Sequence, residues 1–454
     1  MDIKIGQKLV KQKEFVKALD FFLNLSNTEK KNPTVSFYLG LIYSELNDSR
    51  KSIIYYEKCL ETDPKSFYTL YNLAIVKQNI GKINEAKKIY LKLIKIDKLK
   101  IRPYLGLYML DQKFITNIHF ENILEIKKSS NLTIYEKSLV EFILSKKEKR
   151  KNNLKKEIEY LENFHKLCFN SNRQYNLQSE FYYKKIINNF YNKIQITDDI
   201  KEDNILNNFS PIFIIGLPRS GSTLVESILL SADDKLNSCG ESHVINMSIV
   251  SEVANKIYTK DFDLKNFNFE VKSKNILNQI LNNYNKLKVL KHPKKIFIDK
   301  SLENFFNLDL ILHIFPKARF IHTFRNLSDS VIAIYQSLLF ELSWTHDIKD
   351  IVIYVDNYLR IINYFKKKYK KNILDVNLEK LTFDKEKVSR EIFDFCKIKW
   401  NKNILNFYKR KDLFIKTLSG SQVRQEIFHY ENKKYKPYFN LLKDLKKDYS
   451  WISS

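Results

Sequence analysis

The chain has 454 residues, 44% apolar and 14% aromatic, which excludes a disordered polymer and leaves room for two or three domains. Its formal net charge is +26, from 78 Lys and Arg against 52 Asp and Glu. Lysine runs such as "FKKKYKKN" stand among helix formers and read as solvated faces. No helix-turn-helix, zinc-finger or RNP-like pattern accompanies them, so nucleic acid is not an expected partner.

The opening "MDIKIGQKLVKQKEF" is charged throughout and lacks the apolar core of a signal peptide. No later run approaches the roughly 18 apolar residues of a membrane span. Cys59, Cys168, Cys239 and Cys396 form no CxxC and no small disulfide framework, as suits a reducing compartment. A soluble cytoplasmic protein is the expectation.

The first hundred residues repeat at a 34-residue period. With Pro33 as position one, Gly40, Tyr43, Ser52, Tyr56, Cys59 and Pro64 fall at positions eight, eleven, twenty, twenty-four, twenty-seven and thirty-two. One period on, Ala74, Ala86 and Tyr90 occupy positions eight, twenty and twenty-four; one period back, Gly6, Ala18 and Phe22 do so. Small residues at eight and twenty allow two antiparallel helices to approach closely, and the aromatic fills the groove between neighbours. This pattern resembles the tetratricopeptide repeat. A fourth unit starts at Ile101 and then degrades. Such an array implies a curved surface for a peptide or protein, or a buttress for the rest of the chain.

From 131 to 205 the text is rich in Lys, Asn, Glu and Leu at helical spacing, as in "NLKKEIEYLENFHKL", and reads as capping helices after an array spanning 1–130. Over 206–454 the grammar changes. The runs "PIFIIG", "KIFIDK", "RFIHTF" and "NILDVNL" alternate with helical segments, and each is apolar over four to six residues. That predicts an α/β domain whose parallel sheet is buried on both faces by helices.

Within this half, "PIFIIGLPRSGSTL" reads as a strand, a loop with Gly216 and Gly221, and a helix opening on Ser222 and Thr223. The amides and dipole of a helix N-terminus favour an anion. The ATP-type pattern GxxxxGK[ST] fails here, because Ser222 follows Gly221 where lysine is required. A nucleotide kinase is therefore disfavoured. The loop alone reads either as a phosphate or sulfate site or as an ordinary strand–turn–helix.

"PRSGSTL" is followed by "CGESHV" at 239–244, "IDKSLENFFNLDLILHIFPKARFIHTFRNLSDS" at 298–330 and "TLSGSQVRQEIFHYENKKYKPY" at 417–438. In order and spacing these resemble bacterial sulfotransferases with N-terminal tetratricopeptide repeats, a group similar in turn to the tyrosylprotein sulfotransferases. The resemblance spans nearly the whole chain. It implies a P-loop-like sulfotransferase domain using 3′-phosphoadenosine 5′-phosphosulfate (PAPS) without metal, and a hydroxyl or phenol acceptor.

The resemblance also assigns roles. Arg219, Ser220, Gly221, Ser222, Thr223 and Leu224 would hold the 5′-phosphosulfate, and Arg325 the 3′-phosphate. Glu241 matches the catalytic carboxylate, with His243 as rival base and a helix N-terminal acid as the plain alternative. Lys300 and Arg219 would face the leaving oxygen; Ser419 matches a serine of the same region, or forms a turn beside Gly420. Arg424 and Lys434 join the cofactor set. Three positions depart from the pattern: Ala333 where a serine is usual, Leu378 for a tyrosine, and Tyr435 for a tryptophan. Ser330 or Ser337 could replace the lost hydroxyl. Ala333 and Leu378 lean toward a second reading, a repeat-based interaction scaffold with a degenerate nucleotide domain, while the intact loop, Glu241 and Lys300 lean toward the enzyme.

Overall fold

The computed structural model describes residues 2–29, 31–192, 194–197, 208–232, 236–257, 269–287, 289–291, 295–410, 417, 420, 422–427, 430 and 434–452. Contacts divide the chain into two compact units, Met1–Leu167 with Arg410–Arg424, and Cys168–Lys409 with Gln425–Ser454. The helices expected over 131–205 divide between the units, Ile134–Arg150 going with the first and Arg173–Phe181 with the second.

The first unit is a series of helices starting with Ile3–Lys11, Phe15–Thr28, Pro33–Glu45, Ser49–Thr62, Phe67–Asn79 and Ile83–Ile96. Local chemistry sets their starts. Proline occupies the first turn of Pro33–Glu45, and the Asn32 side chain accepts from the Thr34 amide at 2.9 Å. Asp48 caps Ser49–Thr62 by accepting from the Lys51 amide at 3.1 Å. The small repeat positions are spaces for rings. A Cβ added to Gly40 would stand 2.6 Å from the Tyr56 ring, and one added to Gly6 would stand 2.6 Å from Phe22. Tyr90 lies equally tight against Gly106 of the next helix pair, so the position-twenty-four aromatic joins neighbouring repeats. Ser52 donates to the Gly40 carbonyl at 2.8 Å, locking position twenty onto position eight.

The second unit contains a five-stranded sheet. Its strands are named with those of a smaller pair: β1 Ile194–Thr197, β2 Ile212–Gly216, β3 Asn237–Ser238, β4 Phe269–Lys272, β5 Phe297–Asp299, β6 Arg319–Phe324 and β7 Ile373–Asn377. The main sheet has the order β3-β5-β2-β6-β7 and is parallel throughout; β1 and β4 form a separate parallel pair. All five residues of β2 are buried, which is why this strand reads as an unbroken apolar run. Phe213, Phe297, Phe315 and Phe320 pack as a ring cluster around it. After β2 the chain builds toward β3 and β5, whereas after β6 it builds toward β7. The connections thus diverge beside β2, the place where such sheets form a crevice at their carboxyl edge. Among the described residues, no helix is long and apolar enough to cross a membrane.

Gly40→Ala tests the repeat packing. Alanine gains roughly 1 kcal/mol of helix propensity, but overpacking against the Tyr56 ring costs about 1–3 kcal/mol. The expected outcome is a lower urea midpoint, whereas a higher one would show that the ring yields.

Candidate functional site

Five parallel strands end at the carboxyl edge of the sheet, and the segments after four of them, β2, β3, β5 and β6, carry the charged residues expected from the sequence. The loop after β2 is shaped by its glycines. Gly216 has φ 143°, and a Cβ there would overlap the Thr323 carbonyl of β6. Gly221 has φ 91° and begins the helix Ser222–Leu230 without a capping side chain. The amides of Ser222, Thr223 and Leu224 open the first turn, and Gly221 as N-cap has no side chain to reach them. Ser220 faces inward: its hydroxyl bonds the Leu217 carbonyl at 2.7 Å and the Thr323 hydroxyl at 2.8 Å, fixing the loop to β6. Leu378, after β7, fills the space against Gly221, where an added Cβ would meet it at 2.6 Å.

The loops after β3 and β5 are stitched together. Cys239 N–H donates to the Ile298 carbonyl at 2.9 Å, and Lys300 N–H donates to the Gly240 carbonyl at 2.9 Å. This register brings Glu241 and Lys300 side by side, with Lys300 Nζ 2.6 Å from Glu241 Oε1. Lys300 is fully buried, and its second carboxylate is Glu226 Oε2 at 3.6 Å, on the helix behind the β2 loop. Burial opposes its charge, but Glu226 and Glu241 outweigh burial and raise its pKa. Ser238 donates to the other Glu226 oxygen at 2.6 Å, so the carboxylate is held from both sides.

Asp299, buried at the end of β5, organises the next layer. It accepts from Tyr284 Oη at 2.7 Å, Ser301 N–H at 2.8 Å, Ser242 Oγ at 3.0 Å and Asn304 Nδ2 at 3.3 Å. His243, at φ 54°, donates its backbone N–H to Ser301 Oγ at 2.8 Å, and its Nδ1 bonds Glu303. Burial works against an imidazolium, but Glu303, then Glu241 and Asp299, lift its pKa to about 9. A protonated ring has no lone pair to accept a proton, which disfavours His243 as the base near neutral pH.

Arg325 follows β6 and is 5% exposed. One guanidinium nitrogen donates to the Asp329 carbonyl at 3.0 Å and the other to Tyr430 Oη at 3.2 Å, while Nε has no acceptor. The rings of Tyr435 and Tyr430 stand 5.2 and 5.5 Å from the guanidinium carbon. Tyr435 is buried, which should raise its pKa, yet Arg325, Lys434 and Arg219 together lower it. Arg325 and Lys434 both stand at this ring, Lys434 Nζ 5.5 Å from its centre.

The sequence reading is answered residue by residue. The β2 loop with Arg219, and Glu241, Lys300, Arg325 and Lys434, come to one edge of one unit. Ser419 lies outside the described residues. Arg424 belongs with the repeats: its guanidinium donates to the Asn79 carbonyl at 2.5 Å and to the Arg410 carbonyl at 3.4 Å, and it fills the space beside Gly81. These contacts close the C-terminal end of the helix Phe67–Asn79. Ser330 and Ser337 give their hydroxyls to the Asn326 and Ala333 carbonyls, so both are spent within their own helix region. Glu226, Asp299, Glu303 and Tyr430 were not foreseen. A lone Glu inside the apolar helix "STLVESILL" was the one available signal for Glu226.

Two measurements check this geometry. A folded-state pKa of about 9 against 6.5 means the His243 contribution is complete below pH 6.5 and is lost as pH rises through 9. The urea midpoint should fall across that window, and His243→Gln should flatten the fall. Arg424→Ala should lower the urea midpoint of the repeat unit by removing the bonds to the Asn79 and Arg410 carbonyls; an unchanged midpoint would show that these contacts carry no weight.

Comparison with known proteins agrees with this organisation. Residues 211–402 match the family described as "Sulfotransferase family", and residues 37–66 and 55–88 match tetratricopeptide repeats. An uncharacterized protein of Aquifex aeolicus is 29% identical over 50% of this chain and 30% of its own length. The uncharacterized protein ycf37 of Guillardia theta is 29% identical over 17% of this chain and 44% of its own. The chain thus spans well under half the length of these curated relatives. Among solved structures, the sulfotransferase domain of the Synechococcus olefin synthase is similar over 53% of this chain and 95% of its own, at 21% identity and a TM-score of 0.33. A Mycobacterium tuberculosis sulfotransferase is similar over 68% of this chain and 98% of its own, at 11% identity and a TM-score of 0.31. The sulfotransferase-family match thus falls within the α/β unit, and the tetratricopeptide-repeat matches fall within the N-terminal helices.

Proposed function

We propose that the second unit transfers a sulfuryl group from PAPS to a hydroxyl or phenol acceptor. The observation that carries this reading is the convergence at one sheet edge of an uncapped helix N-terminus, the Glu241–Lys300 pair and a buried Arg325 whose Nε has no acceptor. A buried guanidinium nitrogen without an acceptor is costly unless an anion completes it. The three cations around Tyr435 supply the charge complementarity that a bisphosphorylated nucleotide requires.

When bound, PAPS would supply an activated sulfuryl group. The amides of Ser222 to Leu224 and the Arg219 fork would hold the 5′ end, and Arg325 with Lys434 the 3′-phosphate. Lys300 keeps its charge although buried, and so offers a fixed cation to the oxygen on which negative charge grows as the sulfur–oxygen bond breaks. Glu241 is half-exposed beside that cation, which suits a carboxylate that takes the acceptor proton. Ser419 is assigned to the same region by its motif. The repeats provide for a peptide or protein partner, which makes a protein or peptide acceptor the first to try.

Calorimetric titration of 3′,5′-adenosine bisphosphate, ADP and ATP without metal tests the donor site. The bisphosphate should bind well above ADP, and Arg219→Ala should abolish that preference. Glu241→Gln should bind the bisphosphate normally while turnover with PAPS falls by about 10²–10⁴-fold. Equal binding of all three nucleotides would overturn the reading.

A further inference from the structure

The position eight residues after Arg325 is Ala333, buried in the helix Leu327–Tyr335, and the neighbouring hydroxyls of Ser330 and Ser337 are spent on backbone carbonyls. The helix next to Arg325 therefore offers no spare serine hydroxyl at 330, 333 or 337. A hydroxyl does reach Arg325 from elsewhere in the chain. Tyr430, far along the sequence, donates its Oη proton to Asp329 Oδ2 at 2.8 Å and so turns a lone pair toward the Arg325 guanidinium, 3.2 Å away. Its backbone N–H is tied to Thr382 Oγ1 at 3.3 Å. Its ring, with that of Tyr435, lies against the guanidinium.

We infer that Tyr430 is a positioning residue of the 3′-phosphate subsite, holding Arg325 by hydroxyl and ring where the helix has only Ala333. This rests on the PAPS reading above. One terminal nitrogen is on the Asp329 carbonyl and the other on Tyr430, so the guanidinium is held at both ends while its buried Nε keeps no acceptor. Freezing a long side chain before binding removes an ordering cost that the ligand would otherwise bear. Asp329 takes part indirectly: burial raises its pKa, while the hydrogen bond from Tyr430 and the charge of Arg325 pull the other way.

The test compares 3′,5′-adenosine bisphosphate with 5′-AMP, which differ only in the 3′-phosphate. In Tyr430→Phe, affinity for the bisphosphate should fall about tenfold, the worth of roughly one hydrogen bond to a charged group, with AMP affinity unchanged. An equal loss for both ligands would mean that Tyr430 only supports the fold, and no loss would mean that Arg325 needs no such hold; either overturns the inference. If Tyr430→Phe proves too unstable to titrate, Asp329→Ala, which removes the acceptor that orients the hydroxyl, should give the same selective loss. A wild-type protein that binds AMP and the bisphosphate equally would instead overturn the PAPS reading itself.

Discussion

The second unit depends on one buried charge. Lys300 sits at the end of β5 with no exposed surface, and an ammonium in that position is tolerable only with carboxylates on it. Those carboxylates come from two other places in the chain, Glu226 on the helix behind the β2 loop and Glu241 after β3. The ion triad therefore ties three loops of the sheet edge together. Glu226 is fixed in turn by Ser238, and Asp299, the residue before Lys300, gathers four donors around the same corner. Removing the lysine would leave Glu226 as a buried carboxylate without its cation, so charge and architecture are inseparable here.

Across β2 the same problem is solved with aromatic rings. Arg325 is nearly as buried as Lys300, but its planar charge is covered by Tyr430 and Tyr435, with one backbone carbonyl and one phenol accepting its protons. The two solutions differ in what they leave over. Lys300 has two carboxylates close by, so its remaining capacity is for charge that appears during a reaction. Arg325 keeps a donor without an acceptor, so its remaining capacity is for an anion that is already there.

How much of this was legible follows from whether the signal is local. The β2, β5, β6 and β7 runs could be read because strands buried on both faces must be apolar, and the loop after β2 could be read because glycine and charge alternate within a few residues. β3 could not, since Asn237–Ser238 is two residues long with no apolar run. Lys300 and Arg325 were visible as cations just after strands. Glu241 was visible too, but the other partners were not: Glu226 comes from a helix, Asp329 from the next turn, and Tyr430 from a segment without periodicity. The contacts of Arg424 were hidden for the same reason. Its acceptor, the Asn79 carbonyl, is 345 residues away, and no spacing rule reaches that far.

Backbone strain adds a separate line of argument. Arg219 and His243 both lie in the left-handed region, at φ 66° and 54°. Holding a residue with a Cβ there costs about 1–2 kcal/mol relative to the right-handed region, and glycine would remove the penalty. Gly216 and Gly221 show that the chain uses glycine in this very loop where only backbone geometry matters. At 219 that cost falls on a long cation and at 243 on an imidazole ring. Arg219 adds to the positive field at Tyr435, and His243, held as a cation by Glu303, stands two residues from Glu241. The strain falls on either side of the Lys300 triad, at the sheet edge where the charges converge.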